Sequence, residues 1–304
     1  MEQTVRVLGA PMDLGADRRG VDMGPSAIRY AGLAEEIANV GQSCVDGGDI
    51  AVPRPENRVP DTEPFETGHA KYFQETKEVC EDVSTAVAGT VSDGEFPLML
   101  GGDHSIAIGT VAGVTTDLNT GIVWFDAHGD FNTPATTPSG NVHGMALAAI
   151  LGRGPFADTP WAHSPRVPEG NVAMVGVRDL DDSETELLAD SDVSVYTMSD
   201  IDTRGITAVV EEALAVATEG VEQVHVSLDM DCLDPGEAPG VGTPVRGGIS
   251  YREAHAAMEL VHENVGSRMS SFELVEVNPI LDQHNRTAEL GCELVASAFG
   301  RRVL

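Results

Sequence analysis

Lysine is all but missing from this chain of 304 residues: Lys71 and Lys77 are the only two among 18 basic residues, set against 49 acidic ones and a net charge of −31. That deficit excludes phosphate backbones and anionic lipid as main partners, because both require a basic surface. No nucleic acid and no membrane partner is therefore expected. Cysteine is scarce too. Cys44, Cys80, Cys232 and Cys292 lie scattered, with no CxxC pair and no framework spacing, which favours buried free thiols in a reducing compartment over a disulfide scaffold. No window of about 18 apolar residues exists to span a membrane. A basic stretch followed by an apolar targeting segment is also missing, so the expected location is cytoplasmic.

What is present is a large apolar fraction, 41% of residues, spread along the whole chain. A disordered acidic protein would hold far less. An acidic, lysine-poor surface resembles those of proteins working in molar salt, where counter-ions screen self-repulsion and carboxylates hold water. A halophilic protein is the expectation.

Short β-rich runs at 4–8, 96–100, 120–125, 172–177, 193–197, 224–228 and 271–277 alternate with helical patterns. The helical stretches are 25–38, 72–91, 105–117, 141–151, 182–189, 206–218, 251–265 and 287–299. Pro25 suits a first helical turn, and Ser183 followed by Glu186 reads as a capping box. This alternation predicts a mostly parallel sheet covered by helices on both faces. Residues 51–67 and 152–170 read as loops, neither long enough for an interdomain linker, so residues 1–304 read as one domain. Ligands of such sheets collect at the carboxyl ends of the strands.

Three segments put chemistry at those ends: Leu98-Met-Leu-Gly-Gly-Asp103-His104-Ser105, Val123-Trp-Phe-Asp126-Ala-His128-Gly-Asp130 and Val226-Ser-Leu-Asp229-Met-Asp231. Alternate residues of an extended segment share a side, about 6–7 Å apart, so Asp126, His128 and Asp130 are expected to converge, as are Asp229 and Asp231. Five aspartates and two histidines with no lysine nearby need cations, and two ions sharing carboxylates neutralise more than one can. The oxygen and imidazole donors suit Mn²⁺ or Mg²⁺, and Fe²⁺, Co²⁺ or Zn²⁺ less well.

These segments resemble the manganese signatures of the arginase/agmatinase (ureohydrolase) family. The likeness extends from Gly9-Ala-Pro-Met-Asp-Leu-Gly15 and Arg19-Gly-Val-Asp-Met-Gly-Pro25 to Gly242-Thr-Pro244 and Glu276-Val-Asn-Pro279. It implies a three-layer α/β/α sandwich around an eight-stranded, mostly parallel sheet, although only seven strands are legible from pattern. It implies two Mn²⁺ per subunit, held by His104, Asp126, Asp130 and Asp229, with His128 and Asp231 completing the pair and a bridging hydroxide as nucleophile. The chemistry implied is hydrolysis of a guanidino group, a linear amidine, to urea and an amine, in a homotrimer or homohexamer.

Residues 130–144 resemble the arginine-hydrolysing branch, in which the counterparts of Asn132, Ser139 and Asn141 bind the substrate α-carboxylate. Neutral donors suit that task, and agmatine, lacking the carboxylate, would leave them unpaired. By the same resemblance Asp181 contacts the α-ammonium, Thr243 and Glu276 flank the guanidinium, and His128 counts among the substrate contacts as well as the ligands. Glu276 suits a planar guanidinium because a carboxylate accepts a bidentate fork; Glu273 lacks the matching context. Asp130 would pass a proton to the leaving amine and His143 would relay protons to solvent, so Asp130, His143 and Glu276 are the catalytic candidates. L-arginine, yielding L-ornithine and urea, is the implied substrate.

Two positions depart from the common pattern. Cys232 stands where glycine is frequent, fits as a small buried thiol and is not read as a ligand. Gly129 replaces threonine, with little effect expected. His69, His163, His225, His255, His262 and His284 have no partner motif and read as surface or satisfied core histidines. The rival readings are an agmatine or guanidino-acid hydrolase, a deacetylase-like amidohydrolase with one zinc, and a non-catalytic metal-binding protein.

Overall fold

Parallel strands need long crossovers, and the helices between the apolar runs provide them. The computed structural model describes residues 3–16, 19–54, 62–65 and 68–303. In chain order, β1 (Val5–Ala10), α1 (Gly24–Tyr30), α2 (Leu33–Asn39) and β2 (Cys44–Asp49) precede a small hairpin, β3 (Thr62–Phe65) and β4 (Gly68–Lys71). Then follow α3 (Phe73–Ser92), β5 (Phe96–Gly101), α4 (Ala107–Val114), β6 (Thr120–Phe125), α5 (Ala146–Ile150), β7 (Val172–Val177), α6 (Asp182–Ala189), β8 (Ser194–Thr197) and α7 (Met198–Arg204). The chain ends with α8 (Ile206–Thr218), β9 (Gln223–Asp229), α9 (Tyr251–Asn264), β10 (Met269–Val275) and α10 (Arg286–Ala298).

The main sheet has eight strands in the order β2-β1-β5-β10-β9-β6-β7-β8, and all of its pairings are parallel. Strand β6 shows how the layers form. Val123 and Phe125 pack with α8 and α9 residues on one face, while Ile122 and Trp124 pack with α4 and α5 residues on the other. Period-two alternation of wholly apolar residues is what a sheet covered on both sides requires.

Several expectations need correction. The eighth strand, Cys44–Asp49, is an edge strand exposed at every residue but Cys44; with no face to bury, its Gly- and Asp-rich sequence carries no apolar signal. The helix expected over 25–38 is two helices, broken at Gly32 with φ 94°, a conformation glycine adopts without steric cost. Helix α7 was not expected; its start is capped by Thr197 and Asp200. The capping box of α6 is Asp181 with Glu184, not Ser183 with Glu186, because Asp181 is the extended residue at the helix entrance. The hairpin occupies part of the loop expected over 51–67, of which 55–61 and 66–67 lie outside the described residues.

No helix among the described residues is long and apolar enough to cross a membrane. Three of the cysteines are buried and Cys44 is half-buried; all are free thiols.

Candidate metal centre and substrate pocket

The central four strands, β5, β10, β9 and β6, are neighbours in space though far apart in sequence. Each ends in one of the segments singled out above, so their carboxyl ends bring His104, Glu276, Asp229 with Asp231, and Asp126 with His128 and Asp130 together. The turn into His104 depends on Gly102, whose Cβ, were it present, would lie 1.9 Å from the Met12 carbonyl oxygen. Asp103 turns away from the cluster. Its carboxylate accepts hydrogen bonds from the backbone of Gly15, Ala16 and Ser105 and from the Ser105 hydroxyl, so it ties the first loop down and needs no cation.

Strand alternation is not what makes Asp126, His128 and Asp130 converge. Strand β6 stops at Phe125 and β9 at Asp229, and irregular backbone carries the remaining residues inward. Asp130 has φ 47° and Glu276 φ 63°. Left-handed backbone at non-glycine residues costs on the order of 1–3 kcal/mol and gathers at functional sites.

Two groups result. His104 Nδ1 lies 3.1 Å from Asp126 Oδ2, 3.1 Å from Asp130 Oδ2 and 3.2 Å from Asp229 Oδ2. His128 Nδ1 lies 3.0 Å from Asp231 Oδ2 and 3.5 Å from Asp126 Oδ1. Asp126 thus offers one oxygen to each group. His104 Nδ1 and Asp130 Oδ2 are buried without a hydrogen-bond partner, although donors and acceptors surround them. Donors at about 2.1 Å from a common octahedral ion sit about 3 Å apart, so the spacing and the unsatisfied atoms fit a shared cation better than a hydrogen-bond network. His104 with Asp126 and Asp130, and Asp126 with His128 and Asp231, could each hold a metal ion.

Electrostatics agree with that fit. Burial alone would lower both imidazoles, yet the carboxylates around them hold His104 and His128 well above the ordinary range. Burial would raise Asp126, but its place between the two imidazoles holds it below the usual carboxylate range. Burial and neighbouring carboxylates push Asp130 up to about 6 and Asp229 well above its normal value. Like charges this close resist joint ionisation, and divalent cations would relieve the repulsion. Burial also raises the Cys232 thiol well above its usual value, which disfavours the thiolate, and the sulfur belongs to neither group.

Trp124 Nε1 donates to Asp126 Oδ2 at 2.9 Å, and the Trp124 ring stacks on His104. Arg178 donates to the backbone carbonyls of Asp231, Cys232 and Leu233 and to that of Val245, clasping the loop that carries Asp231. Sequence reasoning passed over Arg178 and Trp124, because neither signals a ligand-supporting role without the contacts.

Beside the two groups opens a cavity of about 140 Å³. Its lining includes His128, Asp130, Asp229, Asp231 and Thr243 together with Asn132, Ser139, His143 and Glu184. Thr243 Oγ1 donates to Asp231 Oδ2 at 3.0 Å. Asn132 Nδ2 donates to Asp181 Oδ2 at 2.8 Å, tying the two polar candidates together. Asn141 faces elsewhere: its amide donates to the Ala16 carbonyl and accepts from Lys71 Nζ at 3.2 Å. Glu276 is 1% exposed; its Oε1 accepts from the His104 backbone N–H at 3.0 Å and lies 3.2 Å from His143 Nδ1. Burial would lower His143, but Glu276 and Asp130 raise it to about 9.

Glu184 was missed as a pocket residue, since its sequence context reads as an acidic surface loop. It accepts the Phe131 backbone N–H, and burial pushes it up to about 7. Gly129 bears on it: a Cβ there would lie 2.8 Å from Glu184 Oε1, so the commoner threonine would require Glu184 to shift. Among the histidines without a partner motif, His225 and His255 are buried against Ser271 and Ser297.

The whole chain has relatives of known kind. An arginase of Brevibacillus brevis is 48% identical over 306 residues, covering all of both chains. The solved arginase of Bacillus caldovelox superposes with TM-score 0.91 at 44% identity, over 99% of this chain and all of that one. The arginase of Entamoeba histolytica, solved with L-ornithine, does so with TM-score 0.87 at 29% identity and the same coverage. The arginase family model matches residues 3–300, and with end-to-end relatives at this identity the chain belongs to the arginase family of hydrolases.

Proposed function

We propose that the chain is an arginase that binds two Mn²⁺ ions and hydrolyses L-arginine to L-ornithine and urea. The observation that carries the metal assignment is the pair of His–Asp groups sharing Asp126 beside the cavity. His104, Asp126, Asp130 and Asp229 would hold one ion and Asp126, His128 and Asp231 the other. Two ions there would lower the pKa of a shared water and supply a nucleophile near neutral pH.

The chain's own residues do the rest. Glu276 accepts the guanidinium fork and turns its carbon toward the ligand groups, with Thr243 and His128 flanking it. Water adds at that carbon, and the bond from it to the side-chain nitrogen breaks. Asp130 hands the leaving amine its proton, and His143, partly open to solvent, exchanges protons with bulk water. Asn132 and Ser139 read the α-carboxylate and Asp181 the α-ammonium; Asn141 joins them only by releasing the Ala16 carbonyl and Lys71. The Entamoeba relative's complex with L-ornithine supports an amino-acid product.

Urea release by Mn²⁺-loaded protein in molar KCl, with L-arginine and agmatine side by side, tests this. Arginine should win by about 10²-fold or more in kcat/KM, since each donor left unpaired costs about 1–3 kcal/mol. Preference for agmatine would overturn the carboxylate-reading assignment and leave the metal chemistry standing.

The reading includes a single catalytic domain over residues 1–304, a cytoplasmic location, a homotrimer or homohexamer, and a surface built for molar salt. The charge of −31 with two lysines supports the last of these. The melting temperature should fall clearly between molar KCl and about 0.1 M salt, as screening of like charges is withdrawn; equal stability in both would sink it. Light scattering in molar KCl reads the subunit number.

A further inference from the structure

On the sheet face covered by α3 and α4, four polar side chains lie where apolar ones would pack more cheaply. Ser227 and His225 of β9 stand opposite Glu273 and Ser271 of β10 in the ladder, and all four are 0% exposed. Their neighbours on that face, Met99, Ile122 and Trp124, are apolar. A buried carboxylate in such surroundings is costly unless paired, and Glu273 Oε2 has no hydrogen-bond partner.

The chain of contacts leads to the ligand cluster. His104 Nε2 lies 2.7 Å from Ser227 Oγ, Ser227 Oγ donates to Glu273 Oε1 at 2.7 Å, and His225 Nε2 lies 3.3 Å from the same Glu273 oxygen. His225 Nδ1 is in turn 2.8 Å from Ser271 Oγ. A hydroxyl has one proton. With that proton given to Glu273, Ser227 can only accept from His104, which places the imidazole proton on Nε2 and leaves the Nδ1 lone pair facing Asp126, Asp130 and Asp229.

We propose that Glu273, with His225 beside it, is a positioning residue that fixes the tautomer of His104 through Ser227 and so sets the affinity of the metal site that His104 serves. The proposal rests on the two-metal reading. It also gives a role to two residues that sequence alone left as a core histidine and as a glutamate of no matching context.

Mn²⁺ titration of the full-length protein, followed by electron paramagnetic resonance, tests it with Ser227→Ala and Glu273→Gln. In Ser227→Ala the apparent dissociation constant of one site should rise about 10–100-fold, the usual effect of losing such a partner, while the other site keeps its affinity. The spin-coupled signal of a metal pair should vanish at stoichiometric Mn²⁺ and return at excess, with kcat then restored. Glu273→Gln keeps a weaker, neutral acceptor and should show a smaller rise at the same site. Wild-type binding of two ions with both variants titrating identically would overturn the relay alone, as would equal weakening of both sites. A wild-type chain that takes up no Mn²⁺ would overturn the two-metal reading and the relay together.

Discussion

Asp126→Asn is expected to lower arginine turnover by about 10³-fold or more, which is about 4 kcal/mol of lost transition-state stabilisation, and to cut Mn²⁺ uptake from two ions per chain to one. The reason is geometric. Asp126 directs Oδ2 toward His104 and Oδ1 toward His128, and Oδ2 also accepts from Trp124 Nε1. An amide keeps one oxygen at most, and its NH₂ would then point at a nitrogen or an N–H instead of serving as an acceptor. One group survives and the shared edge is lost. Metal analysis of dialysed protein, urea release at saturating Mn²⁺ and circular dichroism separate this outcome from unfolding. Two tightly held ions and turnover within about tenfold of wild type, where loss of a key charged group ordinarily costs more, would remove Asp126 from the bridging role.

Glu276→Gln should cost about 10²–10³-fold in kcat/KM, the scale of removing one preorganised electrostatic partner, without changing metal uptake. The carboxylate is held in place by its own strained backbone, by the His104 N–H donated to Oε1 and by His143. Glutamine keeps the shape but presents an NH₂ to a guanidinium that has only N–H groups to offer. The variant also changes the proton relay. Glu276 leads the groups that raise His143 to about 9 against burial, so the His143 pKa should fall in the variant and its imidazole should lose its proton at lower pH. Titration of the His143 ring by NMR reads that shift. An unmoved titration together with near wild-type kcat/KM would exclude Glu276 as the guanidinium anchor.

The parts legible from sequence were those that depend on residues near one another in the chain. Alternating apolar runs and helical stretches announced a parallel sheet, and seven of its eight strands were found within a few residues of their bounds. The strand that escaped notice, Cys44–Asp49, is an exposed edge with no apolar run to betray it. The ligand types were equally plain, since carboxylates and imidazoles behind buried strands demand compensation wherever they end up.

How those residues meet belongs to the tertiary structure. His104 and Asp229 are 125 positions apart, and only the order β5-β10-β9-β6 makes them neighbours. The left-handed turns at Asp130 and Glu276, and not strand alternation, aim the carboxylates inward. Register across β9 and β10 sets Ser227 against Glu273 and His225 against Ser271, bringing an unassigned histidine and glutamate next to the candidate ligand His104. Local sequence encodes propensity and chemistry, but pairing register and loop aim are settled by packing among distant segments. The sequence alone therefore determined which atoms this protein could use, and the fold decided which of them act together.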